Sequence, residues 1–355
     1  MAKVTFGDIA KECRSTYKGD KSGIPIVGLE HIEPQNMLVR NFEVDTENTF
    51  TKSFKKGQML FGRRRAYQQK AGVATFDGIC SGDITVIEAI PEKVDIGLLP
   101  FIVQNEAFFG HAVQGSAGSL SPRVKWEHLA SYEIELPSLS EQKVLAEKLW
   151  AAYRLKESYK RLLAATDEMV KSQFIEMFGD VDHYEPLENV VIVKDDCRKP
   201  INDGVRSSMK EGELYPYYGA TGVVDYINEY ITNEELLCIA EDCGNYKAGE
   251  DSSYIIEGKA WVNNHVHLVK TKECCDIKYL HQYLKISDLM PYVSGTTRLK
   301  LTQKKMKEIP ILLPSIKLQN KFVAIAEQAD KSKFELRKSI EAIDKVIKSL
   351  VNVNL

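Results

Sequence analysis

Gly295-Thr296-Thr297-Arg298-Leu299-Lys300-Leu301, followed by Ile311-Leu312-Leu313-Pro314-Ser315-Ile316 and Gln319, is the stretch on which the reading of this chain turns. Subtracting 177 from each number lands on Gly118 to Val124, then on Ile134-Glu135-Leu136-Pro137-Ser138-Leu139 and Gln142. Glycine, isoleucine, leucine, proline, serine and glutamine recur in step without a gap. The same shift of 177 sets Lys70-Ala71-Gly72 on Lys247-Ala248-Gly249, and Met59-Leu60 on Leu236-Leu237. Self-similarity at one long period marks a repeated structural unit, and the chain reads as a diverged tandem duplication.

Each Leu-Pro-Ser step opens onto a helix. From Glu141 to Phe178 no proline or glycine intervenes, and Leu145, Leu149, Ala152, Tyr159, Leu163, Thr166 and Val170 recur at spacings of three, four or seven, which is one face of a helix. Ser138 with Glu141 makes a capping box, and Gly179 suits a left-handed stop. The second helix is predicted from about Lys317 to Val351, with Phe322, Ile325, Ala329, Leu336, Ile340, Ile343, Ile347 and Leu350 on its apolar side; Leu318 stands where the capping glutamate would be. A helix of about 37 residues is roughly 55 Å long, more than a domain of about 140 residues is wide. Packing on its own unit leaves surplus length, and the partner expected for it is the other copy's helix. The two would form an antiparallel coiled coil with pseudo-two-fold symmetry.

The stretch ahead of each helix is strand-rich. Ile24-Pro25-Ile26-Val27, whose proline marks an edge or a strand start, and Asp83-Ile84-Thr85-Val86-Ile87 read as strands of the first unit. Leu236 to Ala240 and His265 to Val269 do so in the second, where Ile277 to Leu284 reads as a helix. The fold class is therefore α+β: two similar mixed α/β domains, residues 1–139 and 180–315, each followed by a long helix, 140–179 and 316–355.

At 355 residues, with 44% hydrophobic and 27% charged side chains, the chain can bury more than one core. No apolar run reaches the roughly 18 residues that cross a bilayer, and Met1 to Thr5 lacks a signal peptide's apolar stretch, so no membrane partner and a cytoplasmic location are expected. Seven cysteines without a CxxC pair indicate neither a zinc site nor a disulfide framework. His265 and His267 share one strand face but lack a third ligand, which favours structural roles over metal. GxGxxG, P-loop, GxSxG, HExxH and Asn-Pro-Pro-aromatic sequences are all missing, so dinucleotide, nucleotide, hydrolase, zinc-protease and amino-methyltransferase chemistry lack their motifs. The expectation is a non-enzyme with no catalytic residue, metal or cofactor of its own.

The net charge of −3 means that any contact with a polyanion must draw on local positive charge. Arg63, Arg64 and Arg65, with Gln68 and Lys70 around Tyr67, supply donors suited to phosphates and base edges, although a solvated charge run is the plainer reading. In the second copy Ala240-Glu241-Asp242 fills the arginine positions, leaving Lys247 in common. The paired loops Gly115 to Arg123 and Ser294 to Lys300 combine small hydroxyl residues and glycines with a following cation, a composition suited to gripping a phosphate. Ser119 and Arg123 in one, and Thr296, Thr297, Arg298 and Lys300 in the other, are the candidates there. Tyr215 to Gly222 adds Tyr217, Tyr218 and Thr221, though aromatics at this density usually belong to a core.

The step from Leu136-Pro137-Ser138-Leu139-Ser140-Glu141-Gln142-Lys143 into a long helix resembles the conserved regions of type I restriction-modification specificity subunits. So do Ile311 to Ile316 with Gln319, the Tyr215 to Gly222 stretch, and Gly295-Thr296-Thr297-Arg298 with Leu301-Thr302. The likeness covers the whole chain and departs from the pattern at Lys317-Leu318-Gln319-Asn320, where the usual acidic Glu-Gln form is missing. It implies two target recognition domains, each reading half of a split double-stranded DNA sequence, with the helices setting the gap. It further implies docking of two methyltransferase subunits, which restriction subunits can join, with S-adenosylmethionine and ATP carried by those partners. Ser119 to Arg123, Thr296 to Lys300 and Tyr217 to Thr221 become DNA contacts by the same resemblance. The alternative left by the residues is a duplicated protein-binding scaffold without DNA specificity. A third reading, the specificity half of a fused restriction enzyme, lacks any catalytic motif.

Overall fold

The computed structural model describes residues 2–118, 120–242 and 245–355, so Ser119, Cys243 and Gly244 lie outside the described residues. Two compact units share the chain, Met1–Tyr159 with Lys338–Leu355, and Lys160–Arg337. In the first, the chain runs β1 (Ala2–Thr5), α1 (Phe6–Ile9), β2 (Ala10–Cys13), β3 (Leu38–Val39), β4 (Met59–Gly62), β5 (Ala71–Ala74) and β6 (Ile84–Ala89). It continues through α2 (Leu99–Val103), α3 (Glu106–Gln114), β7 (Ser116–Ala117), β8 (Arg123–Val124), α4 (Trp126–Ala130) and β9 (Glu133–Leu136) into α5 (Leu139–Phe178).

A five-stranded sheet with the order β2, β6, β4, β5, β3 forms the first unit's centre. Its inner strands β4 and β5 are apolar throughout because both faces are covered. Met59, Phe61 and Ile87 point into a core closed by Phe101, Ile102 and Phe108 of α2 and α3. Leu60, Ile84 and Val86 point the other way, onto Val27, Phe54 and Cys80. These last come from a three-stranded sheet of Ile26–Val27, Lys52–Phe54 and Gly78–Cys80, in which Ile26–Val27 is an edge strand, as Pro25 requires.

The second unit holds β10 (Tyr184–Pro186), α6 (Leu187–Val190), β11 (Val191–Val193), α7 (Asp203–Ser208), β12 (Tyr215–Gly219), β13 (Gly222–Ile227), β14 (Leu236–Ala240), β15 (Ser253–Ile256), β16 (Lys259–Val262) and β17 (Val266–Thr271). Then come α8 (Ile277–Ile286), α9 (Gln303–Lys307), β18 (Pro310–Leu312) and α10 (Ile316–Asn354). Its sheet order β11, β17, β14, β15 repeats β2, β6, β4, β5 of the first unit. Alternate residues again split between faces, Leu237 and Ile239 into one cluster and Leu236 and Cys238 into another.

One pairing escaped the sequence reading. β1 zips antiparallel to β9, with Val4 opposite Ile134, and β10 zips to β18, with Glu185 opposite Ile311. Each unit is thus closed by its own first and last strands just where the long helix begins. The repeated glutamine explains the rest of that junction. Gln142 accepts from Asp95 N at 2.9 Å and donates to Pro137 O at 3.0 Å. Gln319 accepts from Asp276 N at 2.8 Å and donates to Pro314 O and Cys274 O. Both side chains are buried, so each helix start is pinned to the segment ahead of α2 or α8 through satisfied polar groups. The expected capping box is formed, with Ser138 N donating to Glu141 Oε2 at 2.9 Å.

The helices cover the predicted ranges, and every residue of both predicted stripes is buried or half-buried. In the first unit Leu145, Leu149 and Tyr153 of α5 share a core with Ile347, Leu350 and Val351 of α10. In the second, Val170, Phe174 and Phe178 meet Phe322, Val323 and Ala326, with the Phe174 and Phe322 rings 5.4 Å apart. Early α5 meets late α10 and late α5 meets early α10, which is antiparallel packing. Neither helix folds back wholly onto its own copy, because the surplus length enters the other unit's core. Two sequence matches fail as structure. Met59-Leu60 and Leu236-Leu237 face opposite sides of their sheets, so that Met59 corresponds to Leu237. Lys70 leads into β5, whereas Lys247-Ala248-Gly249 form a turn ahead of β15, so the shared Lys-Ala-Gly is not an equivalent site.

Candidate nucleic-acid interface

In the first unit the arginine run and the glycine-serine loop, read separately from sequence, come together. Arg63 N donates to Asp83 O, Val124 N donates to Arg63 O, and Arg65 N donates to Pro122 O at 2.8 Å. Arg64 and Arg123 form a β-bridge. The Arg64 guanidinium donates to Ser121 Oγ at 2.8 Å and reaches Asp83 at 3.4 Å, while Arg123 Nε donates to Asp83 Oδ1 at 2.6 Å. Bonding and charge from Arg123, then Arg64, outweigh burial and hold the Asp83 carboxyl below the usual aspartate range. One acid therefore aligns two guanidiniums at the rim of β4 and β6.

Around that base the backbone turns through two left-handed residues. Arg65 has φ +54° and Gln69 +53°, a left-handed conformation uncommon in residues other than glycine. Arg65 and Tyr67 are exposed, as is Leu120 at 89%. Arg63 and Gln68 are half-buried, and Lys70 turns inward, its Nζ donating to Leu29 O at 2.8 Å. Ser119 lies outside the described residues. Beside Asp83 opens a polar groove of about 460 Å³, lined by Arg14, Thr16, Thr49, Thr51 and Lys52 among others. Neither Asp83 nor this groove was singled out from sequence, since their residues are far apart in the chain and carry no motif.

In the second unit the equivalent strand end meets the equivalent loop with its charges exchanged, Glu241 in the place of Arg63 and Asp242 in that of Arg64, one residue off the shift of 177. Ser294 and Lys300 trade both backbone hydrogen bonds, at 2.9 and 2.8 Å, and close the loop. Its apex turns at Gly295, with φ +91°, where an added Cβ would lie 2.4 Å from Arg298 O; Gly118 turns at φ +117° in the first unit. This explains why glycine recurs at the shift of 177. Arg298 donates to Asp242 at 2.7 Å, and Lys300 Nζ lies 3.1 Å from Glu241. Glu241 also accepts from Arg198 at 2.7 Å. Burial raises the Glu241 carboxyl, but the bonds from Arg198 and Lys300 override it and leave the group below its ordinary range. Thr296 and Thr297 are exposed at the tip.

His267, 1% exposed, supports this loop from beneath, with Nδ1 at 2.7 Å from Asp195 and Nε2 at 2.9 Å from Leu301 O. His265 contacts Asp242 at 2.9 Å. Both histidines therefore serve the loop base, and among the described residues no group of three or more His, Cys, Asp or Glu side chains could hold a metal ion.

The hairpin candidates separate by burial. Tyr217 is 2% exposed, packs with Ile227 and Trp261, and lies under the Arg206 guanidinium at 4.9 Å, so it is a core residue. Tyr218 is half-buried and stacked on Tyr254. Thr221 alone of the three is exposed, in the turn between β12 and β13. Lys247 is also exposed, but it sits in a turn tied to α8 through the bond from Gly249 N to Lys285 O.

Residues 190–344 match the family model described as the type I restriction modification DNA specificity domain. Over that segment the chain is similar to type I restriction-modification specificity subunits. A Haemophilus influenzae chain designated S.HindORF215P, assigned as a type I restriction enzyme specificity subunit, is 36% identical over 149 residues, 42% of this chain and 37% of that one. The EcoDI specificity subunit of Escherichia coli is 25% identical over 155 residues, 42% of this chain and 34% of that one. The chain thus spans little more than a third of the length of these two relatives. The crystal structure of the type I S subunit from M. genitalium matches at a TM-score of 0.60 and 16% identity, covering 99% of this chain and 94% of that one, a likeness of fold. The matched segment contains the whole 294–301 loop together with its Glu241-Asp242 base. No helix among the described residues is long and apolar enough to cross a membrane.

Proposed function

We propose that this chain is the non-catalytic DNA-reading subunit of a type I restriction-modification complex, working in the cytoplasm. Each unit engages one half of a bipartite double-stranded target. The helices keep the two readers a set distance apart and dock two methyltransferase subunits, which restriction subunits can join. S-adenosylmethionine and ATP then belong to those partners. The observation that carries the reading is the doubled loop base: in both units a glycine-turned loop ending in cations closes on the end of the equivalent strand, β4 or β14. Two such loops suit engagement of two separate stretches of one duplex.

Exposed Arg65 and Arg123, with Tyr67 and the loop tip, would meet DNA in the first unit, and Thr221, Thr296, Thr297 and Arg298 in the second. Backbone phosphates supply affinity and base edges supply the sequence. Selection of bound sequences from a random pool, using the chain assembled with a methyltransferase, should return two conserved blocks around an unread spacer. Inserting four residues into both α5 and α10 should lengthen the spacer by about two base pairs, since four residues add about 6 Å and a base pair about 3.4 Å. An unchanged spacer sinks the ruler. Binding that is absent, or insensitive to salt, returns the reading to a protein-binding scaffold.

A further inference from the structure

The seam between the long helices carries charged residues where apolar ones are expected. In the first unit Lys156 of α5 is 2.5 Å from Asp344 of α10, and in the second unit Lys333 of α10 is 3.0 Å from Asp167 of α5. The two pairs are related by the repeat itself, because Lys156 and Lys333 differ by 177, as do Asp167 and Asp344. Each copy therefore supplies one lysine and one aspartate, and each unit holds a lysine from one copy against an aspartate from the other. Lys333 is 5% exposed and also reaches Asp330 at 2.7 Å, whose second oxygen accepts from Gln282 at 3.0 Å. Burial works against the Lys333 charge, but the bonds to Asp330 and Asp167 outweigh it and raise its pKa.

We propose that Lys156–Asp344 and Lys333–Asp167 are a reciprocal register lock that selects one antiparallel alignment of α5 and α10. Apolar stripes at heptad-like spacing fit together almost as well after a slip of seven residues, so the stripes alone specify the alignment weakly. The charges do not tolerate the slip. Moving one way sets Lys156 opposite Arg337 and Lys333 opposite Lys160, which is like against like. Moving the other way sets Lys156 opposite Val351 and Lys333 opposite Phe174, while Asp344 and Asp167 face Leu163 and Ile340. A buried charge left unpaired is costly, and polar groups in a helical seam are known to fix register at some expense of stability. The lock stands on the helix contacts; its consequence, a single spacing between the half-sites, rests on the reading proposed above.

A disulfide trap in the full chain tests it. With Lys156→Cys and Asp344→Cys, mild oxidation should join the two positions, mapped by peptide mass spectrometry against the native thiols, because Lys333–Asp167 still holds the alignment. Adding Lys333→Glu should cut the yield of that cross-link about tenfold. Adding Asp167→Lys and Asp330→Asn to the same chain exchanges the charges, removes the acid that the new carboxylate at position 333 would otherwise meet at position 330, and should restore it. If Lys333→Glu leaves the yield unchanged, apolar packing alone sets the register and the lock is wrong. If the exchanged pair folds with the same melting temperature as the parent yet does not recover the cross-link, the pairing is not what matters and the lock is equally wrong. Should the single reversal fail to fold, the exchanged chain decides the matter by itself: recovery of both fold and cross-link supports the lock, and failure to recover overturns it. Spacer selection on the same chains is read separately. A broadened spacer with Lys333→Glu extends the lock to target geometry, whereas loss of all DNA binding by the parent chain strikes the proposed function and leaves the cross-link result standing.

Discussion

The bases of the two loops make the most instructive comparison in the molecule. In the first unit Arg64 and Arg123 face each other across one acid, Asp83, so positive charge exceeds negative at the rim. In the second, Glu241 and Asp242 stand where the backbone pairing places Arg63 and Arg64 in the first, and each takes up a loop cation, Lys300 or Arg298. The scaffold is common to both: the same strand ends, the same glycine turn and the same backbone closure. Duplication preserved what orders the loop and left free what the loop presents. Two units built this way can meet the same polyanion with different electrostatic strength, the first through net charge and the second through exposed hydroxyls, with Arg298 already held in place by an acid.

The largest effect should come from removing the charge that distinguishes the first unit. Arg65→Gln with Arg123→Gln is expected to weaken DNA binding by the assembled complex about a hundredfold and to lower the salt slope by about two, as for two lost phosphate or base contacts. The companion pair Arg298→Gln with Lys300→Gln should cost much less, because Glu241 and Asp242 already neutralise those cations. Equal losses in the two units would remove the contrast. Titrating each variant against salt, with binding followed by anisotropy, reads both quantities.

Next in size is a change to what the units share. Gln319→Ala deletes three hydrogen bonds of a fully buried side chain, and Gln142→Ala deletes two. Stranding their buried partners should destabilise the second unit by about 2–3 kcal/mol and the first by about 1–2 kcal/mol. Chemical denaturation of the two variants checks the ranking. A cost near zero for either would mean that the glutamine does not pin the helix start.

These glutamines also show where sequence reading stops. The repeat at 177 was legible because it keeps chemically distinctive residues in step, and the helices were legible because apolar periodicity is a local signal. Leu236–Ala240 was read to the residue for the same reason. The role of Gln142 and Gln319 was not legible, since their partners Asp95 and Asp276 lie more than forty positions away. Asp83 was missed likewise, as an ordinary aspartate beside a strand until folding places it between two arginines. Tyr217 was offered as a DNA contact because composition cannot tell which face of a strand is buried; its alternation with Tyr218 and packing on Trp261 settle that. The Lys247 match shows the opposite hazard, a three-residue identity at the right spacing that falls on non-equivalent structure.

A smaller effect is expected from sharpening the second unit. Glu241→Gln with Asp242→Asn should release Lys300 and Arg298, raise affinity for the second half-site about threefold and steepen its salt dependence by about one. Specificity should fall at the same time, because a cation no longer held in one place grips any phosphate. Binding to the selected target and to a scrambled duplex, measured side by side, separates the two effects. Unchanged affinity would mean that the freed cations do not face DNA.

The smallest expected effect is on acid stability, and its sign follows from Asp83. Arg123 and Arg64 hold the folded carboxyl below its unfolded value of about 3.9, so the unfolded chain binds more protons in the interval between the two values. Stability from this group is therefore complete above about pH 4 and is lost as pH falls through the lower, folded value. Because Arg123 is partly exposed, the contribution should be less than about 1 kcal/mol. Asp83→Asn should flatten the acid limb of the first unit's unfolding curve below about pH 4 while leaving the neutral-pH limb parallel to the parent. An acid limb as steep in Asp83→Asn as in the parent would show that the two arginines do not clamp this acid, and the contrast between the two loop bases would then rest on net charge alone.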